Sequence, residues 1–240
     1  MSVRRLLVVA RDEFKMNLRR PLVWIMLLLI GLMVWGISEG GVQIVIGSGD
    51  ASVGGKKAFL TSEFAISQIV AVLSYTFYLF FLSAAAGLSV VRDGDAGVLE
   101  LLNATPLTPR EYAWGKLGGT VVAFLGVLAM QVLLMMIFLQ WIPNADMLET
   151  RGPFVLSHYL RPALLFGVPM ILFTSGVSFW IGTRTRRPIL VFVLPVALTM
   201  LSAFFLWSWT PAWLSEGWNR ALQAIDPAGV RWLRETWLKV

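Results

Sequence analysis

Titratable side chains gather between Arg92 and Lys116, in the run RDGDAGVLELLNATPLTPREYAWGK. Arg92, Asp93, Asp95, Glu100, Arg110, Glu111 and Lys116 mix acid and base there, and Thr105-Pro106 and Thr108-Pro109 interrupt them. Such a mixture suits docking and ion pairing. Residues that would make or break bonds are scarce elsewhere. The single His158 has no cysteine and no acidic cluster at metal-ligand spacing around it, and reads as an ordinary loop residue. The chain has no cysteine, hence no disulfide framework, no thiolate metal site and no thiol nucleophile. Gly47-Ser48-Gly49 and Gly54-Gly55 lack the Lys-Ser/Thr ending of a phosphate-binding loop. No catalytic residue and no metal site is expected.

The polar run is held by very apolar surroundings. Of 240 residues, 57% are hydrophobic and 14% charged, whereas a soluble domain carries about 25% charged residues. The composition predicts an all-α, polytopic membrane bundle. The net charge of +6 sits beside hydrophobic stretches, which favours anionic headgroups over nucleic acid as the partner. Five spans are expected at Pro21–Ile37, Phe64–Val91, Leu117–Ile142, Pro162–Thr183 and Pro188–Trp209. Pro169 is expected to bend the fourth, and Ala84-Ala85-Ala86-Gly87 to let a neighbouring helix approach closely. The last four spans contain no Asp, Glu, Lys, Arg or His. An ion-coupled transporter or an intramembrane enzyme keeps ionisable groups at membrane depth, so energy is expected to come from a soluble partner that pushes on residues 92–116.

Val3–Leu18 reads as an amphipathic helix, with Val3, Leu6, Leu7, Ala10, Phe14 and Leu18 on one face and Arg4, Arg5, Arg11, Asp12, Lys15 and Arg19 on the other. It is expected to lie at the membrane interface, within a segment 1–20. No small-residue cleavage site follows it. Twelve Lys and Arg fall on the side holding residues 1–20, 92–116 and 184–187, and eight on the opposite side. The N-terminus and the 92–116 loop are therefore expected in the cytoplasm. Residues 210–240 form a Trp-rich outer segment, with Asp226-Pro227 as a helix start and a short helix over Ala228–Lys239.

Within the loop, Asp93 and Asp95 are expected near a helix start, where carboxylates meet the positive dipole end. Val98, Leu99, Leu101 and Leu102 form a short apolar patch beside Glu100. The Thr-Pro pairs break the helix. Thr108-Pro109-Arg110-Glu111 reads as a capped new start that runs through Tyr112, Trp114 and Lys116 into the third span. The loop is then either a stiff lever or a solvated hairpin that only joins two spans.

The pattern of Arg92, Asp93, Gly97, Glu100, Leu101, Leu102, Thr105, Pro106, Leu107, Glu111, Tyr112, Gly115 and Lys116 resembles the permeases of ABC-2 type ATP-binding-cassette exporters. The N-terminal helix is similar to that family's elbow helix, with Arg4, Arg5, Arg11 and Lys15 at the membrane interface. The resemblance implies a coupling helix in residues 92–116 that docks on a separate cytoplasmic ATPase, with Arg92, Asp93, Glu100, Leu101, Thr105, Pro106, Arg110, Glu111 and Lys116 as coupling residues. ATP and Mg would be bound by that ATPase and no cofactor by this chain. A second permease copy or half completes the implied assembly, in the bacterial inner (plasma) membrane. The family has six spans per half, so either a sixth lies beyond residue 240, which is the expectation favoured, or the Trp-rich end is bound to the outer surface. Ile225–Gly229 is similar to permeases that continue into a longer chain, some with an outer aminopeptidase-like domain. The competing expectation is a membrane anchor or assembly protein that needs no ATPase.

Overall fold

A computed structural model of the chain describes residues 2–41, 59–95, 97, 107–142, 149–207, 211 and 213–233. Every regular element among them is helical. The helices are α1 (Val3–Arg19), α2 (Pro21–Ser38), α3 (Glu63–Gly94), α4 (Pro109–Trp141), α5 (Ser157–Thr185), α6 (Pro188–Leu206) and α7 (Glu216–Ile225). One further helical turn covers residues 230–233. Helices α2 to α6 have 18, 32, 33, 29 and 19 residues and are apolar enough to cross a membrane, against the roughly 20 residues a bilayer core demands. A helix satisfies its own backbone in lipid, and five such helices make this an integral membrane protein.

All five expected spans are present, and several reach further than their apolar stretches. The third starts at Pro109, eight residues before Leu117, because the capped start after Thr108 is the first turn of the span helix itself. The fifth is helical to Leu206, and Trp209 lies outside the described residues. Four spans contain π-helical segments, at Ser74–Leu82, Ile137–Trp141, Ala163–Gly167 and Ser202–Leu206. The segment in α5 ends two residues before Pro169. A proline lacks the N–H and crowds the preceding turn, and the wider turn accommodates both. Between α5 and α6 the basic turn is tight. Arg186 adopts φ 52, a left-handed conformation that stops α5, and Pro188 opens α6.

Two compact units divide the chain. The first comprises Met1–Leu27, Phe77–Val127 and Ile171–Ala197. Its core includes Tyr78, Leu82, Phe124 and Val191. The Tyr78 and Phe124 rings meet edge-on, 6.2 Å apart. Gly87 lies against Val191 and the backbone at Ser178 and Gly182, so closely that a methyl group there would collide. The small-residue run around Ala86-Gly87 thus does what its composition predicts, and Ser83 and Ser178 hydrogen bond beside it at 2.9 Å.

The second unit comprises Leu28–Thr76, Leu128–Met170 and Leu198–Val240. Ile30, Ile66, Leu73, Met135, Leu139 and Tyr159 form its core. Tyr75 donates to the Leu198 carbonyl at 2.7 Å and bonds Ser202. Residues 210–240 look irregular in sequence, yet they contain α7. Ser215 precedes it, and Trp218, Leu222 and Ile225 share one face of it. Asp226 does cap a following turn, accepting from the Ala228 and Arg231 backbone amides at 3.1 and 2.8 Å. Residues 230–233 of the expected Ala228–Lys239 helix are helical, and 234–240 lie outside the described residues.

Candidate functional site

The site is built where α1, the end of α3 and the start of α4 meet, all within the first unit. The foot of α4 comes first. Thr108 Oγ1 accepts from the Glu111 amide at 3.3 Å, and Glu111 Oε2 accepts from the Thr108 amide at 3.0 Å. This reciprocal pair is a capping box and fixes the first turn. Glu111 also accepts from the Ser2 amide and lies 3.9 Å from the Arg5 guanidinium. One carboxylate therefore starts α4 and anchors the beginning of α1.

From there α1 packs along α4. Gly115 and Gly119 lie on one stripe of α4, four residues apart. A side chain at 115 would strike Val9 and the Leu6 carbonyl; one at 119 would strike Glu13 and the Ala10 carbonyl. Two glycines at this spacing let helix backbones approach closely. Residues between them then meet α1 at short range. Lys116 Nζ reaches Glu13 Oε2 at 3.3 Å, Asp93 Oδ2 at 2.6 Å and the Ser89 carbonyl at 2.9 Å. Tyr112 donates to the same Asp93 oxygen at 2.5 Å, and Lys116 stands 5.5 Å from the centre of its ring.

Asn17 continues the cluster one turn further along α1. Its amide donates to Glu13 Oε1 at 3.2 Å and to Thr120 Oγ1 at 3.3 Å, and its oxygen accepts from Arg20 at 3.1 Å. Arg20 also stands 4.0 Å from Glu13. Burial lowers the Arg20 guanidinium from its ordinary value while Glu13 pulls the other way; it remains a cation, as arginine does in proteins. The Glu13 and Lys116 side chains are 1% and 6% exposed. Charges so deeply buried persist only when paired and hydrogen bonded. Two carboxylates and two cations meet here and balance.

The arrangement can hold three chain segments rigidly at both ends of residues 92–116. Among the described residues no group of three or more His, Asp and Glu side chains could hold a metal ion.

Of the expected coupling residues, Asp93, Glu111 and Lys116 belong to this cluster and its anchor. Arg92 and Arg110 are exposed beside it. Glu100, Leu101, Thr105 and Pro106 lie outside the described residues, as do Val98, Leu99 and Leu102. One expectation is corrected. Asp93 stands in the last turn of α3 and Asp95 directly after Gly94, at the C-terminal end of the helix, where the dipole disfavours a carboxylate. Asp93 is held by Lys116 and Tyr112 instead. On α1, Arg4, Arg11 and Lys15 are exposed as expected, while Arg5 turns toward Glu111.

Sequence reasoning missed Glu13, Asn17, Ser89 and Thr120. The signal was there: Glu13 and Asn17 are four residues apart on α1, and Gly115 and Gly119 match that spacing on α4. No protein-family model, curated protein or solved structure matches the chain.

Proposed function

We propose that this chain is the membrane-spanning permease subunit of an ATP-driven ABC-2 type exporter. Residues 92–116 receive the push of a separate cytoplasmic ATPase, and the export substrate crosses with a second permease copy or half. The observation that carries the reading is the Lys116 cluster. Lys116 closes one end of the 92–116 segment and Asp93 the other, and they touch at 2.6 Å. Glu13 of α1 shares the same lysine. A force applied to the segment would reach α1, α3 and α4 together, because a desolvated, paired cluster resists separation. A hairpin that merely joined two spans would have no need of a buried lysine shared between two carboxylates, one of them on α1. The stretches Phe64–Val91, Leu117–Ile142, Pro162–Thr183 and Pro188–Trp209 contain no Asp, Glu, Lys, Arg or His, which agrees with energy supplied from outside the bilayer.

In this reading ATP and Mg are bound by the ATPase, α1 is the elbow helix, and the N-terminus faces the cytoplasm of a bacterial cell. The test is purification of the tagged chain from its native membrane. A nucleotide-binding ATPase is expected to accompany it and to hydrolyse ATP. Glu100→Arg, or Thr105→Ala with Pro106→Ala, is expected to release that ATPase while the chain stays in the membrane. Full retention of both ATPase and activity in these variants would remove the coupling role.

A further inference from the structure

α1 has three faces, and the cluster occupies only one. Leu6, Glu13 and Asn17 pack against α4. Next around the helix comes an apolar stripe of Val3, Leu7, Phe14 and Leu18, in which Val3 is 68% and Leu7 59% exposed. Beyond it Arg4, Arg11, Lys15 and Arg19 form a basic stripe, all exposed. Helical geometry places these stripes side by side, since residues three, four and seven apart share a face. Of the two acids on α1, Asp12 lies on the far edge of the basic stripe and Glu13 faces the other way, toward Lys116.

The junction with the first span fixes where this surface lies. Only Arg20, in an extended conformation, separates α1 from α2. The Trp24 indole donates to the Leu18 carbonyl at 2.8 Å and ties the end of α1 to the first turn of that span. An indole that is half apolar and half hydrogen bonded suits the edge of a bilayer. The apolar stripe is thus continuous with a membrane-spanning helix, and the basic stripe runs beside it.

We infer that α1 is a docking surface for anionic phospholipid, with acyl chains against Val3, Leu7 and Leu18 and headgroup phosphates against Arg4, Arg11, Lys15 and Arg19. Charge complementarity selects this occupant. Four exposed cations beside an apolar stripe attract anionic headgroups and give no advantage to zwitterionic ones. A protein partner would leave unexplained why the stripe continues a span. The consequence reaches the cluster: lipid on one side of α1 steadies the helix that positions Glu13 against Lys116 on the other. The inference stands whether or not an ATPase partners the chain, because its test reads bound lipid alone.

The experiment uses the full chain in nanodiscs of equal phosphatidylglycerol and phosphatidylcholine, with retained lipid counted by native mass spectrometry. The unmodified chain is expected to retain phosphatidylglycerol several-fold over phosphatidylcholine. The Arg4→Gln, Arg11→Gln, Lys15→Gln, Arg19→Gln variant is expected to lose that preference. Arg184→Gln with Arg187→Gln, in the other basic turn, is expected to keep it. Equal retention of the two lipids by the unmodified chain would overturn the inference. So would an unaltered preference in the fourfold variant, or an equal loss in the control.

A second measurement does not depend on the fourfold variant folding. A polarity-sensitive fluorophore on Leu7→Cys is expected to shift to the blue when phosphatidylglycerol replaces phosphatidylcholine. An unchanged spectrum would count against the docking surface.

Discussion

Two polar clusters in this protein look alike in composition and differ in what they join. In the first unit, Glu13, Asp93 and Lys116 come from three separate stretches of chain, and each lies on a different helix. In the second, Asp226, Arg231 and Asn219 lie within one short stretch after α6. Asp226 caps the turn that holds Arg231. Arg231 in turn donates to Asn219 at 2.8 Å and to the Leu206 carbonyl at 3.1 Å. Trp207 adds a contact to Asp226 at 3.4 Å. This is local capping: it closes the end of α6 and seats α7. The Lys116 cluster binds distant parts of the sequence and pays for burial with ionic pairing. What a cluster of acidic and basic side chains does depends on the chain separation of its members, not on their types.

Lys116→Met separates the two cases most sharply. It leaves the buried Glu13 with only Arg20, 4.0 Å away, and takes the ion pair from half-buried Asp93; breaking a buried pair by removing one partner typically costs about 3–5 kcal/mol. The thermal unfolding midpoint of the purified chain is expected to fall markedly. Adding Glu13→Gln and Asp93→Asn removes the stranded charges, and much of the loss is expected to return. If Lys116→Met unfolds with the unmodified midpoint, the cluster is not holding the helices.

Gly119→Val tests the close approach rather than the charges. Forcing bulk into a packed contact costs about 1–3 kcal/mol, and here the neighbours are the Ala10 carbonyl and Glu13. Protease sensitivity is expected to rise within α1, because the helix must move off α4. Asp226→Ala is expected to have the smallest and most local effect, about 1–2 kcal/mol for a lost cap. Faster hydrogen exchange is expected in residues 213–233 and unchanged exchange in α1. Spread of that effect into α1 would erase the distinction between the clusters.

Much of the fold is legible in the sequence because hydrophobic length and capping chemistry are local. The five spans follow from apolar stretches, and Thr108 with Glu111 marks the start of α4 to the residue. The cluster was half legible. Asp93 and Lys116 stand out as charges at the edges of the polar run, but Asp93 is placed by a lysine 23 positions later, and no local rule predicts that. Glu13 was hidden for a different reason. A two-faced reading of α1 assigns each residue to lipid or water, and leaves no place for a third face that packs on α4. In α7 the scattered tryptophans masked a short amphipathic period carried by Trp218, Ala221, Leu222 and Ile225.

The side of the membrane that carries residues 92–116 tests the account most directly. The chain has no cysteine of its own, so Glu100→Cys and Glu149→Cys each introduce a single thiol. A membrane-impermeant maleimide is applied to intact cells and then to opened ones. Glu149→Cys is expected to react in intact cells, and Glu100→Cys only after the cells are opened. Reaction of Glu100→Cys in intact cells would put the loop beyond the reach of any cytoplasmic ATPase and contradict the account.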